Sequence, residues 1–96
     1  PTPDVSVVEL VVNLEKTATV DEINSAMRAA QSNTFGYNDL PLVSIDFTHD
    51  AHSSIFDAGQ TKVLGDKLVH VTAWYDNEWG FSNRMCDTAV AMGKLI

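Results

Sequence analysis

The tripeptide Asp76-Asn77-Glu78 carries the side chains of this sequence that are best suited to bind a ligand. An asparagine side chain offers both a hydrogen-bond donor and an acceptor. A Trp-Gly step follows, and Gly80 would let a ligand approach the backbone closely because it has no side chain. The segment predicts recognition of an amide or an anion. The alternative is a polar loop whose function is only structural.

A helix is predicted directly after this tripeptide. Large apolar residues recur there at steps of three and four, which places them on one face of an α-helix. They are Phe81, Met85, Ala89, Met92 and Ile96. Ser82 and Asn83 are predicted to accept hydrogen bonds from the unpaired N–H groups of the first turn. The positive end of the helix dipole would then lie beside Asn77.

Two histidines and three aspartates lie close together in the sequence, in an arrangement that resembles a metal cluster. They are His49, His52, Asp46, Asp50 and Asp57. A metal site needs three or four ligands that converge on one point. Residues 48–54 read as a turn whose side chains would diverge. We therefore predict a solvated loop with hydrogen-bonding histidines and no metal site.

Cys86 is the only cysteine, so no internal disulfide is possible, which suits a reducing compartment. It falls beyond the first turn of the predicted helix, and Asp87 beside it disfavours a thiolate although Arg84 is near. We predict a structural cysteine and not a nucleophile. The sequence contains no glycine-rich phosphate loop and no nucleophile-elbow motif. By itself it lacks the parts of an enzyme.

The elements before this helix form the frame that would position it. Residues 5–15 read as a strand with apolar residues on both faces, which needs cover from its own helices and from another subunit or further sequence. Thr19 and Glu22 form a capping box, and the apolar spacing after it predicts a helix to about Ala30. Residues 32–41 are predicted as a loop because glycine, asparagine and proline recur there.

The second half of the sequence is dominated by strand patterns. Residues 42–47 alternate between apolar and polar side chains, which predicts a second strand, and residues 53–57 predict a short third one. Residues 60–64 and 68–75 predict a hairpin around a Gly65-Asp66 turn. Strands joined mostly by turns favour an α+β fold, with a mostly antiparallel sheet, helices packed on one face and a C-terminal amphipathic helix.

Composition limits the class of protein and its partners. Ninety-six residues make one small domain, and 45% hydrophobic residues are enough for a packed core. Six basic and thirteen acidic residues give a net charge of −7, which disfavours nucleic acid and anionic membranes as partners. No apolar run is long enough to span a bilayer. The chain begins at Pro1 without methionine, so we expect a piece of a longer protein or one that has lost its initiator methionine.

Three segments of the sequence carry a resemblance to a known family: PTPDVSVVEL, DFTHDAHSSIFDA and WYDNEWGFSNRM. They are similar to the C-terminal third of the glyceraldehyde-3-phosphate dehydrogenase family, and the resemblance runs essentially end to end. The neighbouring erythrose-4-phosphate dehydrogenases share much of the same sequence, including a phrase like LPLVSIDF, so both substrates remain open. The resemblance implies that residues 1–96 are the C-terminal portion of a cytoplasmic enzyme's catalytic domain, without its Rossmann domain.

Enzymes of this family oxidise and phosphorylate an aldehyde with NAD in glycolysis. A catalytic cysteine forms a thiohemiacetal, a histidine activates it, and hydride passes to the nicotinamide. The cysteine lies in a Ser-Cys-Thr-Thr-Asn stretch upstream of the region that this sequence resembles. No such stretch occurs here, and neither Cys86 nor any of His49, His52 and His70 matches the catalytic pair. The resemblance therefore implies no catalytic residue in the chain.

The resemblance does imply two residues that contact the cofactor. Asn77 matches the asparagine that hydrogen-bonds the nicotinamide carboxamide, and both groups of its amide could pair there. Phe81 stands at a position usually held by tyrosine near the same ring, so the aromatic wall is kept and a hydroxyl is lost. The connection over residues 31–37 is shorter than the family's, a change that surface loops tolerate.

The family's assembly implies two partners for this chain. The final helix of the family packs against the NAD-binding domain, and the other face of the sheet meets a neighbouring subunit of a tetramer. Two hypotheses follow. The chain is the C-terminal catalytic-domain portion of an NAD-dependent phosphorylating aldehyde dehydrogenase, inactive alone, or it is a free-standing binding or oligomerisation module derived from that domain.

Overall fold

The strands of this chain form one mixed sheet with two α-helices. The computed structural model describes residues 2–96. In chain order the elements are β1 (Ser6–Asn13), α1 (Val20–Ala29), β2 (Phe35–Asn38), a 3-10 turn (Ser44–Phe47), β3 (Ser54–Asp57), a second 3-10 turn (Ala58–Gln60), β4 (Lys62–Leu64), β5 (Leu68–Tyr75) and α2 (Asn77–Gly93).

Strand β5 is the centre of the sheet. It pairs with β1 along its whole length, in an antiparallel register that runs from Ser6 opposite Tyr75 to Asn13 opposite Leu68. Strands β3 and β4 pair with β5 antiparallel, and β2 pairs with β3 parallel. The mostly antiparallel α+β fold with a C-terminal helix is thereby confirmed. Because α2 begins two residues after β5 ends, the central strand directly positions the helix start.

The local signals at α1 and at the hairpin act as the sequence indicates. Thr19 caps α1, because its hydroxyl accepts a hydrogen bond from the Glu22 N–H at 3.2 Å. Gly65 and Asp66 in the β4–β5 turn both have positive φ, at 60° and 73°. Glycine and aspartate tolerate this left-handed conformation better than most residues, so the turn can reverse the chain without strain from a bulky side chain.

Two segments differ from the sequence predictions. The expected loop at 32–41 contains β2, whose pairing with β3 overrides the local turn signals. Gly36 packs closely in this strand, since an added Cβ would lie 3.1 Å from His52 Nδ1 and that side chain would have to shift. The expected strand at 42–47 is instead a loop that leads into the first 3-10 turn. Its alternation does not define a buried face, because Phe47 is buried while Ile45 is 75% exposed.

The core joins one face of the sheet to the first 3-10 turn. Val5, Phe47 and Ile55 form its buried cluster, and the rings of Phe47 and Trp74 stack with centroids 5.5 Å apart. The indole N–H of Trp74 donates to a buried Asp57 carboxylate at 2.9 Å. A buried polar atom needs such a partner to avoid a desolvation penalty. This cluster fixes the end of β5 from which α2 departs.

Helix α1 is attached to the other part of the sheet through polar contacts. The Asn24 amide donates to the carbonyl oxygen of Ala58 and accepts from the Thr61 hydroxyl. The Arg28 guanidinium lies 4.9 Å from the centroid of the Tyr37 ring, a cation–π distance. These contacts hold α1 near the β2–β3 side of the sheet.

Apolar side chains on β1 remain exposed on both faces of the strand. Val7 and Val11 on one face and Val8 and Leu10 on the other are each 45% to 58% exposed. The sequence predicts that both faces of this strand are covered. In this chain alone, both faces are exposed. None of the helices in the described residues is long and apolar enough to cross a membrane.

Candidate functional site at the start of the last helix

Asp76 fixes the position at which α2 begins. Its backbone is extended, and its side chain accepts hydrogen bonds from the Trp79 N–H at 3.2 Å and the His49 N–H at 2.9 Å. The residue is only 2% exposed. Asp76 is thus an N-cap that also ties the helix to the loop before β3. The predicted caps Ser82 and Asn83 lie inside the helix, and the Asn83 amide donates to the Trp79 carbonyl instead.

Gly80 allows the first turn of α2 to pack tightly. An added Cβ would lie 3.1 Å from the His52 carbonyl oxygen. The space beside Gly80 is therefore filled by this chain's own backbone, and the prediction that a ligand approaches there is wrong. Arg84, one turn later, donates to the Ala51 carbonyl at 3.1 Å and to the Ser53 hydroxyl at 3.0 Å. These contacts hold α2 against residues 51–53.

Asn77 is the first residue of α2, and its side chain is exposed. Its amide oxygen lies 3.3 Å from the Ser6 hydroxyl, which donates to it across 71 residues of sequence. The side chain therefore stands at the positive end of the helix dipole with its NH2 group turned away from that bond. This geometry can donate a hydrogen bond to an incoming carbonyl oxygen.

Phe81 lies one helical turn after Asn77 and on the same side of α2. It is 66% exposed. A shallow depression of about 310 Å³ continues from it along the helix, lined by Phe81, Arg84, Met85, Thr88, Ala89 and Met92. The amphipathic spacing predicted from the sequence is therefore present, and its apolar face is open. An amide and an aromatic ring stand at one end of this face.

Three carboxylates meet beside the helix start. One oxygen from each of Asp4, Asp76 and Glu78 lies within 4.8 Å of the others. Burial raises the pKa of Asp76, but hydrogen bonds from the His49 N–H, the Asp4 carboxyl and the Trp79 N–H outweigh it and hold the pKa below its ordinary value. The pKa of Asp4 is raised, mainly because its carboxyl hydrogen-bonds the Asp76 side chain. This local charge disfavours an anionic ligand group.

The histidines and aspartates that resemble a metal cluster in the sequence make separate structural contacts. Asp46 accepts from the Val43 N–H, and Asp57 accepts from Trp74 and from the Gly59 N–H. His52 Nδ1 lies 2.6 Å from an Asp50 carboxylate oxygen. The described residues contain no group of three metal-ligating side chains that includes a histidine.

His49 and His70 occupy unrelated places. The ring of His49 stacks on Trp79 with centroids 4.4 Å apart, which adds a contact at the helix start. His70 lies in β5, with its Nε2 3.8 Å from a Glu9 carboxylate oxygen.

Cys86 is exposed on α2 beside Trp79, Ser82 and Asn83. Within the described residues the side chain packs into no core, so the structural role of Cys86 stays a prediction.

Sequence reasoning missed the roles of Asp76 and Ser6. The sequence does contain a signal for Asp76, because aspartate directly before a helix is a preferred N-cap. The sequence prediction placed the caps at Ser82 and Asn83, which are also capping residue types. Ser6 carried no local signal. Its contact with Asn77 depends on the long-range pairing of β1 with β5.

Comparisons with known proteins match this chain to one family. The family model described as "Glyceraldehyde 3-phosphate dehydrogenase, C-terminal domain" matches residues 1–77. A glyceraldehyde-3-phosphate dehydrogenase of Cereibacter sphaeroides is 53% identical over 100 residues, which covers 100% of this chain and 30% of the relative. One from Xanthobacter flavus is 54% identical and one from Pseudomonas aeruginosa is 55% identical, over 99% and 96% of this chain.

The chain spans about 30% of the length of the curated relatives it matches. The matched region is the C-terminal part of those proteins. The chain belongs to the glyceraldehyde-3-phosphate dehydrogenase family, as a part of its C-terminal domain.

Proposed function

We propose that this chain is the C-terminal portion of the catalytic domain of an NAD-dependent phosphorylating aldehyde dehydrogenase that oxidises glyceraldehyde 3-phosphate. Its part in the reaction is to contact the nicotinamide through Asn77 and Phe81. The observation that carries this proposal is the exposed Asn77 amide, held at the first turn of a helix whose start is fixed by the buried Asp76.

The residues at the helix start fit a nicotinamide. Its carboxamide is a neutral polar group that one asparagine side chain can hydrogen-bond. Phe81, on the same side of the helix, offers an apolar wall at the distance of one turn from that amide. The carboxylates of Asp4, Asp76 and Glu78 disfavour a phosphate here and favour the positively charged ring of the oxidised cofactor. Of the two predicted ligand types, the amide fits and the anion does not.

In the reaction, this chain would orient the ring and supply no reacting group. Asn77 and Phe81 would hold the nicotinamide of NAD, which would supply the hydride acceptor of the reaction. Asn77 would restrict rotation of the nicotinamide by bonding its carboxamide, and Phe81 would exclude water from one side of the ring. Positioning of this kind lowers the barrier by holding the reacting atoms in a productive geometry. The cysteine and histidine that carry the covalent chemistry in the family have no match among these 96 residues, so we expect no turnover by the chain alone.

A chimera tests this proposal. The matching C-terminal 30% of the Cereibacter sphaeroides enzyme would be replaced by residues 1–96, and NAD reduction would be followed with glyceraldehyde 3-phosphate and inorganic phosphate. We expect an active chimera. Asn77→Ala should raise the KM for NAD roughly threefold to tenfold, the effect of losing one hydrogen bond. Phe81→Tyr should change it less, because the aromatic wall stays.

Two controls make the result interpretable. Asn83→Ala changes an asparagine of the same helix whose amide is bonded to the Trp79 carbonyl, so the KM for NAD should stay within about twofold. The 96-residue chain alone should reduce no NAD. Turnover by the isolated chain, or an Asn77→Ala chimera with unchanged kinetics, would contradict the proposal.

The exposed apolar surfaces of β1 and α2 support the partners that the family implies. We infer that they are covered by a Rossmann domain and by further copies of the protein. The competing hypothesis of a free-standing assembly module uses the same surfaces. The intact mass and the native oligomer size of the protein in its source cells distinguish the two, because a subunit about three times the mass of this chain is expected from the relatives' length.

A further inference from the structure

We propose that Ser6 is a positioning residue for Asn77. Its hydroxyl holds the carbonyl oxygen of the Asn77 amide, so that the NH2 group is the one presented to the carboxamide oxygen of the nicotinamide. The inference rests on the proposed function, since it assigns the partner that orients the cofactor-contacting amide.

The sheet register brings the two residues together. Ser6 is the first residue of β1 and lies opposite Tyr75, the last residue of β5. Asn77 follows Tyr75 by two residues, and the Ser6 hydroxyl lies 3.3 Å from its amide oxygen. The backbone of Asn77 is held by the cap at Asp76, so the remaining freedom is rotation of the side chain. One hydrogen bond to one end of the amide is enough to bias that rotation.

The hydrogen bond from Ser6 determines which group of the Asn77 amide is free to bind a ligand. Once the carbonyl oxygen of Asn77 accepts from Ser6, the free hydrogen-bonding group is the NH2, which can only donate. The matching atom of a carboxamide ligand is its carbonyl oxygen. Asn77 would therefore make one donor contact with the nicotinamide, and the double pairing that an unrestrained amide allows would not form.

The chain before Ser6 is held in a conformation that supports this role. Val5 has φ of 72°, a left-handed conformation that β-branched residues rarely adopt. It persists because the Val5 side chain is buried against Phe47 and Ile55 and its N–H donates to an Asp4 carboxylate at 2.8 Å. Strained residues of this kind concentrate at functional sites. Val5 directly precedes Ser6, the first residue of β1.

Variants of Ser6 in the chimera test the proposal. Ser6→Thr and Ser6→Val have nearly the same shape and both suit a strand, but only threonine keeps the hydroxyl. We expect Ser6→Val and Ser6→Ala to raise the KM for NAD roughly threefold and to raise the Kd for NAD, measured by titration calorimetry without substrate, by a similar factor, with Ser6→Thr within about twofold of the parent in both. A role in strand packing alone would instead affect threonine and valine alike.

A double-mutant cycle separates positioning from direct contact. In the Asn77→Ala background, Ser6→Ala should add no further rise in the KM for NAD, because its only route to the cofactor has been removed. Additive effects would overturn the inference. An Asn77→Ala chimera that matches the parent would instead overturn the proposed function, and with it the role of Ser6.

A cofactor analogue tests the direction of the hydrogen bond. The 3-acetylpyridine analogue of NAD keeps the carbonyl oxygen but lacks the carboxamide NH2. We expect Asn77→Ala to raise the KM for the analogue by about the same factor as the KM for NAD. A rise for NAD alone would show that Asn77 accepts a hydrogen bond from the ligand, which contradicts the orientation assigned to Ser6.

Discussion

The two ends of α2 are held in different ways. At the start of the helix, Asp76 caps the first turn, Gly80 packs on the His52 backbone and Arg84 bonds to residues 51–53. Further along, the apolar face has no such contacts, and Met85 and Met92 are 58% and 63% exposed. The same helix therefore combines a beginning that this chain specifies by itself with a longer part whose apolar face is uncovered.

This difference shows where the stability of the helix comes from. Fully burying a methionine side chain contributes about 1.5–3 kcal/mol, and the open face of α2 gains little of it here. Polar bonds and close packing at the helix start must therefore hold α2 in place. Asn77 and Phe81, the residues proposed to contact the cofactor, lie in the first turns of α2, at its supported end.

The largest effect is expected from Asp76→Ala. The change removes the cap of α2 and leaves the N–H groups of Trp79 and His49 without their partner. Loss of the cap and of a buried hydrogen bond should together lower the free energy of unfolding by about 2–4 kcal/mol. Urea unfolding followed by circular dichroism measures it.

Asp76→Asn is the matched control for this change. Its amide oxygen can still accept one of the two hydrogen bonds, so it should cost about half as much as alanine. Equal stability of the alanine variant and the parent would mean that Asp76 does not hold the helix start, and the contrast between the two ends would be lost.

A pair of glycine substitutions compares the two ends directly. Alanine is about 1 kcal/mol more favourable than glycine inside a helix. At Gly93 nothing lies within 4 Å of the added Cβ, whereas at Gly80 it meets the His52 carbonyl oxygen. We expect Gly80→Ala to be less stable than Gly93→Ala by about 1–2 kcal/mol in urea unfolding. Equal stability of the two variants would show that the start of α2 is packed no more tightly than its end.

The smallest effect is the pH response of the carboxylates at the helix start. The pKa of Asp76 is lowered in the folded state. The contribution of Asp76 to stability is therefore present at any pH above the ordinary pKa of aspartate, and it is lost as the pH falls through the folded-state pKa. The pKa of Asp4 is raised, so its contribution is present at low pH and is lost as the pH rises through the folded-state value. The two contributions therefore oppose each other around the ordinary carboxylate pKa of about 4.

Titration of the Asp4 side chain by NMR tests the link between these two groups. Asp76→Asn should bring the pKa of Asp4 down toward its ordinary value, because the hydrogen bond to the Asp76 side chain is the largest cause of the shift. Glu78→Gln should lower it much less, since Glu78 acts only through weaker charge repulsion. A larger response to the glutamine variant would contradict this assignment.

Local sequence signals predicted the elements whose partners are near or whose pattern is long. The capping residue Thr19, the hairpin turn at Gly65-Asp66 and the spacing of α2 each depend on neighbours within a few positions, and all three are confirmed. The start of α2 was placed several residues too late because Ser82 and Asn83 are capping types as well. N-cap propensity alone does not distinguish Asp76 from these two residues. The hydrogen bond from the His49 N–H to Asp76, which the sequence does not show, favours Asp76.

Elements that depend on distant partners were not predictable in this way. Strand β2 has the composition of a turn, and only the neighbouring β3 makes it a strand. Residues 42–47 have a strand pattern but lie beside no pairing partner, so they form a loop and a short turn. In the candidate site, the resemblance to the family pointed to Asn77 and Phe81, while Ser6 required the register of β1 on β5.

The central place of β5 has a consequence for synthesis of the protein. The pairing partners of β1 are 55 to 69 residues further along the chain, so this strand has nothing to bond with until most of the chain has been made. At typical ribosomal rates that delay is on the order of several seconds. During it, a valine-rich ribbon with both backbone edges free would be open to chaperones and to neighbouring nascent chains. The strand that starts beside Asn77 would therefore need protection until β5 has been made.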